Sequence, residues 1–498
     1  MPIRRGEEYL ESLRDGRCVW LMGQRVEDVT THPALAGCAR SVAAVYDLQH
    51  DPAHQDLLTM PSPTTGQPVS LSYLLPQSVD DLARQRRMYE CLVRRAGGMA
   101  GRLPQHLATV VLGLYDVRDL LGVEDPAFTD HVAHYFEYCR ENDRSIATIF
   151  SDPLHHRNYP VSKQEPLRVV ARRPDGLIVR GAKGVGTQAP YANELFCMTA
   201  PRPDLTPEEG VYFAAPVNAK GIHVICRESL ASPNPVDHPV SPSWDEMDSI
   251  VVFDDVFIPW ERVFLVEASP EPIATWLLWH HLYGWLAKAE FTLGLALALA
   301  DAMALKEHDQ TVEYLVDLTA DVQTARSCLA AAERDPSTTV GGNCVANHLH
   351  LLPGGIAIFK ARQRISELLR IIPGSSLVVA PSDADLAIPE LQAGLEESFG
   401  GGGWTALQRS ALLQMAWDHV SSGLDGRESA FELHASGGTP AWRGRLRQRF
   451  PSYNELANAV LRAIDMPMPQ VDVSNIPAAP LAPRRVNTVA AAPLPAKS

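Results

Sequence analysis

The residues of this chain best suited to chemistry are its close histidine pairs, its cysteines and one run of glycines. His155-His156 and His280-His281 are adjacent in sequence. Neighbours on a strand or helix point in different directions, so neither pair makes good joint metal ligands. His348 and His350 share a face only on a strand. Each histidine reads as an ordinary polar residue, and no metal site is expected. The eight cysteines (Cys18, Cys38, Cys91, Cys139, Cys197, Cys226, Cys328, Cys344) include no CxxC and no close pair. They read as reduced thiols that act as small buried apolar groups. Phe399 to Trp404 (FGGGGW) has no adjoining lysine or strand and reads as a mobile loop. No GxxxxGK[ST], no GxGxxG after a strand and no GxSxG elbow is present, so phosphate-loop and nucleophilic-hydrolase chemistry have no support.

The elements that must position any site fall into three regions of different periodicity. From Glu7 to about Ile149 the pattern is helical, with amphipathic runs over Val79 to Ala96 and Phe128 to Asn142. From about Leu167 to Val266 the period is two. LRVVARRPDGLIVRGAK predicts a hairpin through Pro174-Asp175-Gly176, followed by strands in GVYFAAPV, GIHVIC and SIVVFDDVFIPW, the last stopped by Pro259. From Glu271 long helices return, and Trp276 to Met303 is apolar nearly all round, as a helix at the centre of a bundle or subunit interface would be. The order gives an α+β protein: an N-terminal helical domain (1–150), a middle β domain (151–268), a C-terminal helical bundle (269–475) and a Pro- and Ala-rich disordered tail (476–498).

Composition narrows the partners. A formal charge of −15 and a pI near 5.6 argue against nucleic acid and against an anionic membrane surface. The longest apolar stretch, Phe291 to Leu305, is broken by Asp301 and too short to span a bilayer. MPIRRGEEYLESL has no apolar core of a secretory signal, which sets the expectation of a cytoplasmic protein.

Longer motifs are far more specific. His238 to Leu265 (HPVSPSWDEMDSIVVFDDVFIPWERVFL) closely resembles the signature of the 4-hydroxyphenylacetate 3-monooxygenase oxygenase-component family. Gly97 to His106 (GGMAGRLPQH), Arg140 to Pro153 (RENDRSIATIFSDP), Gly181 to Pro190 (GAKGVGTQAP), Tyr212 to Ser229 and Trp417 to Glu432 (WDHVSSGLDGRESAFE) resemble further segments of that family, in the same order. The resemblance covers nearly the whole chain outside the tail.

It implies the acyl-CoA dehydrogenase fold and a two-component enzyme. FADH2 comes from a separate NAD(P)H-flavin reductase and reacts with dioxygen, and the resulting flavin C4a-hydroperoxide hydroxylates a phenolic ring. In the family an arginine, a tyrosine four residues later and a histidine from another segment touch the phenolic oxygen. Arg102 keeps the first position, while His106 replaces the tyrosine and Thr148 the histidine. Arg102 and His106 share a helical face; His106 can act as acid, base or donor near neutral pH, and Thr148 only through a hydroxyl.

These changes point away from simple 4-hydroxyphenylacetate, towards a modified phenol, a carrier-bound aromatic or a nitrogen heterocycle of specialised metabolism. The resemblance further implies flavin contacts from Thr148, Ile149, Phe150, Leu154, Arg157 and Thr187, and from Gly423, Gly426 and Arg427 in a C-terminal turn. Thr199 and Ala200 match a substrate lid, and a homotetramer is expected. The alternatives are changed chemistry on the same scaffold: N-oxygenation, oxidative dearomatisation or a non-redox elimination. An iron–sulfur dehydratase of this fold needs closely spaced cysteines in the first helical region, where Cys91 stands alone.

Overall fold

The computed structural model describes residues 2–99, 101–123, 125–152, 166–199, 204–268, 275–434, 438–450, 453–464 and 469. Two sheets lie between helical layers. The larger has six strands in the order β2-β1-β10-β11-β7-β6. Its members are β1 (Val19–Leu21), β2 (Gln24–Val26), β6 (Arg168–Arg173), β7 (Gly176–Lys183), β10 (Ile222–Cys226) and β11 (Ser249–Pro259). The smaller runs β12-β9-β8-β5, from β5 (Ile146–Ile149), β8 (Glu194–Cys197), β9 (Val211–Pro216) and β12 (Val263–Val266). A separate short hairpin joins β3 (Thr59–Pro61) to β4 (Pro68–Ser70).

The hairpin and strands expected from the period of two are in place. In β11 the alternation carries one extra residue: Val251 and Phe253 are buried, Asp254 and Asp255 exposed, then Val256 and Ile258 buried again. The register slips there and Asp255 takes φ 50°, so a bulge restores the inward face after the break. The N-terminal stretch, expected to be helical, also supplies β1 to β5, and β1 pairs in parallel with β10. Strands of three or four residues are too short for period alone to reveal.

The helix Thr275–Ala302 passes between helices Val79–Arg95, Pro104–Asp116, Asp309–Arg334, His348–Ile371 and Ala406–Val420. With five helices packed against it the helix needs no continuous polar stripe, which explains its mostly apolar sequence. By length and composition Trp276–Ala302 is the one helix among the described residues long enough to cross a membrane. Here Trp276, Trp279, Leu282 and Leu286 are buried against its neighbours. The FGGGGW run closes as a tight turn, with Gly401 and Trp404 exchanging backbone hydrogen bonds and Gly401, Gly402 and Gly403 at positive φ. The Pro- and Ala-rich tail lies outside the described residues.

Candidate active site

Gly97 and Gly98 end the Val79–Arg95 helix at positive φ, and a Cβ on Gly98 would stand 2.3 Å from the Lys288 amide nitrogen. Glycine there lets the chain lie directly on the central helix. The path then enters Pro104–Asp116, with Pro104 in the first turn, where its missing N–H costs nothing. This fixes Arg102 and His106 against the central helix. The Arg102 guanidinium donates to His106 Nε2 at 3.2 Å and lies over the Phe431 ring at 5.1 Å. Both residues are buried, and among the described residues no carboxylate forms a salt bridge with Arg102.

His106 Nδ1 meets His280 Nδ1, and the His281 ring stacks on His106 at 4.8 Å between centroids. The adjacent pair thus converges on one partner, contrary to the reading of these histidines as unremarkable. His280 meets His106 edge-on, at 77° between ring planes, while His281 meets it at 26°. Burial, followed by the neighbouring histidines and Arg102, drives His106 well below its usual range. Burial and then the Arg102 charge bring His280 down to about 3 and lower His281 too. All three are neutral near pH 7. The sequence did carry a signal for them: two imidazoles inside a long apolar helix must find polar partners.

A second cluster adjoins the first. Glu246 accepts the Arg102 backbone N–H and pairs with Arg427 at 3.1 Å. Arg427 also grips Asp248 at 2.7 Å, contacts Glu428, and lies over Phe431 at 4.5 Å. Asp248 in turn accepts from Thr187 Oγ1 at 2.8 Å. Burial alone would raise Asp248, yet hydrogen bonds from Arg427 and Thr187 hold it below the usual carboxylate range. Glu246 and Asp248 are two of the three acids of the Trp244-Asp245-Glu246-Met247-Asp248 motif, and Glu428 follows Arg427, so two resembling segments meet here. Asp418 joins them further: its carboxylate accepts the Val240 and Ser241 N–H groups at 2.8 Å each.

Arg102, Arg427 and Thr187 are therefore linked through Glu246 and Asp248. Gly423 and Gly426 lie in the first two turns of helix Gly423–His434, not in a turn. Ser422 Oγ accepts the Leu424 N–H and starts that helix. Arg427, expected to contact flavin, pairs here with Glu246, Asp248 and Glu428. Thr199 is buried, with its hydroxyl donating to the Glu209 carbonyl, while Ala200, Leu154 and Arg157 lie outside the described residues.

The fit of a flavin turns on β5, an edge strand of the smaller sheet. Ser145 and Ile149 carbonyls accept from the β8 side, so by alternation Thr148 and Phe150 turn their amides to the open edge. The Ile149 carbonyl is already taken by the Met198 N–H, at 3.1 Å. Thr148 shares its face with Ile146, which packs in the cluster of Leu107, Val110 and Val111. Among the described residues its hydroxyl is buried without a hydrogen-bond partner, as are Gln105 Oε1 and Trp276 Nε1. Surplus donors and acceptors of this kind suit a polar ring system. Ser151 O accepts from Gly184 N at 2.6 Å and Asp152 binds Lys183 at 2.7 Å, bringing the segment after β5 beside the Gly181-to-Pro190 segment.

Comparison with known proteins gives a consistent result. Models of the 4-hydroxyphenylacetate 3-hydroxylase N-terminal and C-terminal regions match residues 5–265 and 273–464. The oxygenase component of 4-hydroxyphenylacetate 3-monooxygenase from Geobacillus sp. (strain PA-9) is 31% identical over 454 residues, covering 88% of this chain and 92% of that protein. The (3S)-3-amino-3-(3-chloro-4-hydroxyphenyl)propanoyl-[peptidyl-carrier protein] monooxygenase of Streptomyces globisporus is 30% identical over 488 residues, covering 93% and 91%. A crystal structure of a 4-hydroxyphenylacetate 3-monooxygenase oxygenase component with FAD and 4-hydroxyphenylacetate superposes with a TM-score of 0.87, at 30% identity, covering 92% of this chain and 98% of that one.

Proposed function

Because the chain belongs to the 4-hydroxyphenylacetate 3-hydroxylase family, we propose that its Arg102–His106 face binds the ionising hydroxyl of a substituted phenol. The protein is the oxygenase component of a two-component, FADH2-dependent aromatic monooxygenase, with the acyl-CoA dehydrogenase-like fold. A separate reductase supplies its flavin, and a small aromatic is its substrate.

One observation carries the substrate reading. Arg102 is a buried cation that lacks a carboxylate partner among the described residues and faces a neutral imidazole. A phenolate beside it compensates that charge, and phenolate is a much stronger carbon nucleophile than phenol. FADH2 and dioxygen, when bound, supply the oxidising oxygen atom. The Thr148 hydroxyl, the β5 edge amides at Thr148 and Phe150, and Thr187 would hold the flavin. The apolar cluster of Leu107, Val110 and Phe196 keeps water from this face.

Replacement of the family tyrosine and histidine by His106 and Thr148 favours a substrate other than 4-hydroxyphenylacetate, and the Streptomyces relative acts on a carrier-bound chlorophenol. We therefore place the substrate among substituted or carrier-tethered phenols of specialised metabolism. A cytoplasmic homotetramer using an NAD(P)H-dependent reductase is part of the same proposal. The test is anaerobic binding of FADH2, then oxygen with a panel of free and carrier-tethered phenols. A hydroxylated product with little hydrogen peroxide supports the reading; peroxide alone with every phenol sinks it.

A further inference from the structure

We propose that His280 is the proton-holding partner of His106: as a phenol ionises against Arg102, its proton enters at His106 and is retained on His280. This rests on the phenol-oxidising reading above.

The geometry fixes a direction. A guanidinium can only donate, so His106 Nε2, facing Arg102 at 3.2 Å, is an acceptor. A neutral imidazole with an acceptor Nε2 carries its proton on Nδ1. That proton points at His280 Nδ1, which must accept it, leaving the His280 proton on Nε2. A phenolic O–H arriving at Arg102 takes over as donor to His106 Nε2. The O–H bond breaks and an N–H bond forms at Nε2. The Nδ1 proton moves to His280 Nδ1, His106 ends neutral, His280 ends as the imidazolium, and the phenolate stands against Arg102. Charge is conserved, with one new anion and one new cation.

The surroundings suit a proton held only for the duration of a step. Arg102 and His281 face His106, while the Tyr89 ring meets His280 edge-on at 4.2 Å. Arg445 acts on His281, and the carboxylates of Glu246 and Glu428 engage Arg427 instead of the imidazoles. Burial and then the Arg102 charge keep His280 neutral at rest. A phenolate on Arg102 cancels the second of these, so the proton affinity of the pair rises when the substrate ionises and falls when the oxygen regains a proton. Thr148 cannot take a proton in this way. His280 acts through His106 and is a positioning residue.

The test uses the protein with FADH2 under anaerobic conditions and 4-nitrophenol as probe, since its phenolate is visible. Absorbance counts phenolate formed, and calorimetry in two buffers of different ionisation enthalpy counts protons released. The unaltered protein is expected to bind the phenolate while releasing well under one proton. His280→Gln keeps an acceptor for His106 Nδ1–H but holds no proton. At a pH well below that at which free 4-nitrophenol ionises, it should release close to one proton per phenolate, or bind neutral phenol. With a hydroxylated phenol as substrate, kcat should fall at least roughly tenfold in both His280→Gln and His280→Ala, with KM little changed.

Equal proton release by the unaltered protein and His280→Gln, or recovery of kcat in His280→Gln relative to His280→Ala, overturns the relay and leaves the function standing. Failure of the unaltered protein to bind 4-nitrophenol as its phenolate also overturns the relay. Absence of hydroxylated product from any phenol removes the function and the relay together.

Discussion

On one side of Arg102 the helices bury three histidines; on the other they bury Arg427 among Glu246, Asp248 and Glu428. Both clusters sit in apolar surroundings, where an isolated charge is costly. The histidine side solves this by staying neutral, with pKa values driven down by burial and by Arg102. The carboxylate side cancels charge by pairing: Arg427 holds Asp248 below its usual range, while burial raises Glu246 to about 7. A paired cluster is rigid and expensive to break, whereas a neutral cluster can accept a proton when a nearby charge changes. Arg102 belongs to both, its backbone held by Glu246 and its side chain aimed at His106.

The largest effect is expected on the paired side. Arg427→Met leaves buried Glu246 and half-buried Asp248 without their main cation, which costs about 3–5 kcal/mol. Urea unfolding should show that loss in the flavin-free protein. A loss under about 1 kcal/mol would mean that Arg227, 3.2 Å from Asp248, already suffices, and the contrast between the clusters would weaken.

At the junction, Arg102→Met should act on rate more than on stability. Removing the donor and cation at a developing oxyanion costs about 100- to 1,000-fold in kcat/KM, or roughly 3–4 kcal/mol. The backbone bond to Glu246 survives the change, so the unfolding midpoint should move far less than in Arg427→Met. Equal destabilisation by the two variants would show that Arg102 is part of the paired cluster and not a substrate cation.

On the neutral side the effect depends on pH. A histidine whose folded pKa is depressed contributes stability that is present above its unfolded value, about 6.5, and is lost as pH falls towards the folded value. For His280 that window runs from about pH 6.5 down to about 3. Each such histidine contributes a slope of about 1.4 kcal/mol per pH unit. Burial raises Glu246 and Glu333, which work in the opposite sense, so the difference between proteins is the cleaner readout. His280→Gln should lose stability less steeply than the unaltered chain below pH 6.5, by about 1.4 kcal/mol per unit. Parallel curves would mean that His280 is already protonated in the native state.

Both clusters were partly legible in sequence: Arg102 and His106 stood out on the histidine side, and only Arg427 in the paired cluster. Its acids and its arginine stand inside the Trp244-to-Asp248 and Gly423-to-Glu432 motifs, although their mutual pairing could be seen only once the fold brought them together. The long helices and the β6–β7 hairpin were legible because their periods extend over many residues. Strands β1 and β5 were not, at three and four residues. The meeting of His280 and His281 at His106 was not legible, because neighbours on a helix diverge by about 100°, which forbids a shared metal but still allows one ring to be met by edge and face. The turn at Gly423 and Gly426 was an implication of the resemblance alone; glycine is a poor helix former, yet the Ser422 cap starts a helix there.

The smallest effect separates a binding group from a packing group at Thr148. Its hydroxyl is buried without a partner among the described residues, and leaving such a group unpaired costs about 1–3 kcal/mol. Valine has nearly the same shape and suits a strand, so Thr148→Val should leave the flavin-free protein as stable or up to about 1 kcal/mol more stable. If the hydroxyl is kept for a ligand, the same change should weaken FADH2 or phenol binding several-fold, about 0.5–1.5 kcal/mol for one hydrogen bond. Thermal unfolding of the flavin-free protein and anaerobic titration with FADH2 read the two quantities separately. A gain in stability with weaker binding places Thr148 with the neutral cluster, as a polar group held unpaired for a partner that arrives later. A loss of stability with unchanged binding would make it a packing residue, and on β5 the edge amides of Thr148 and Phe150 would then carry the flavin contact without it.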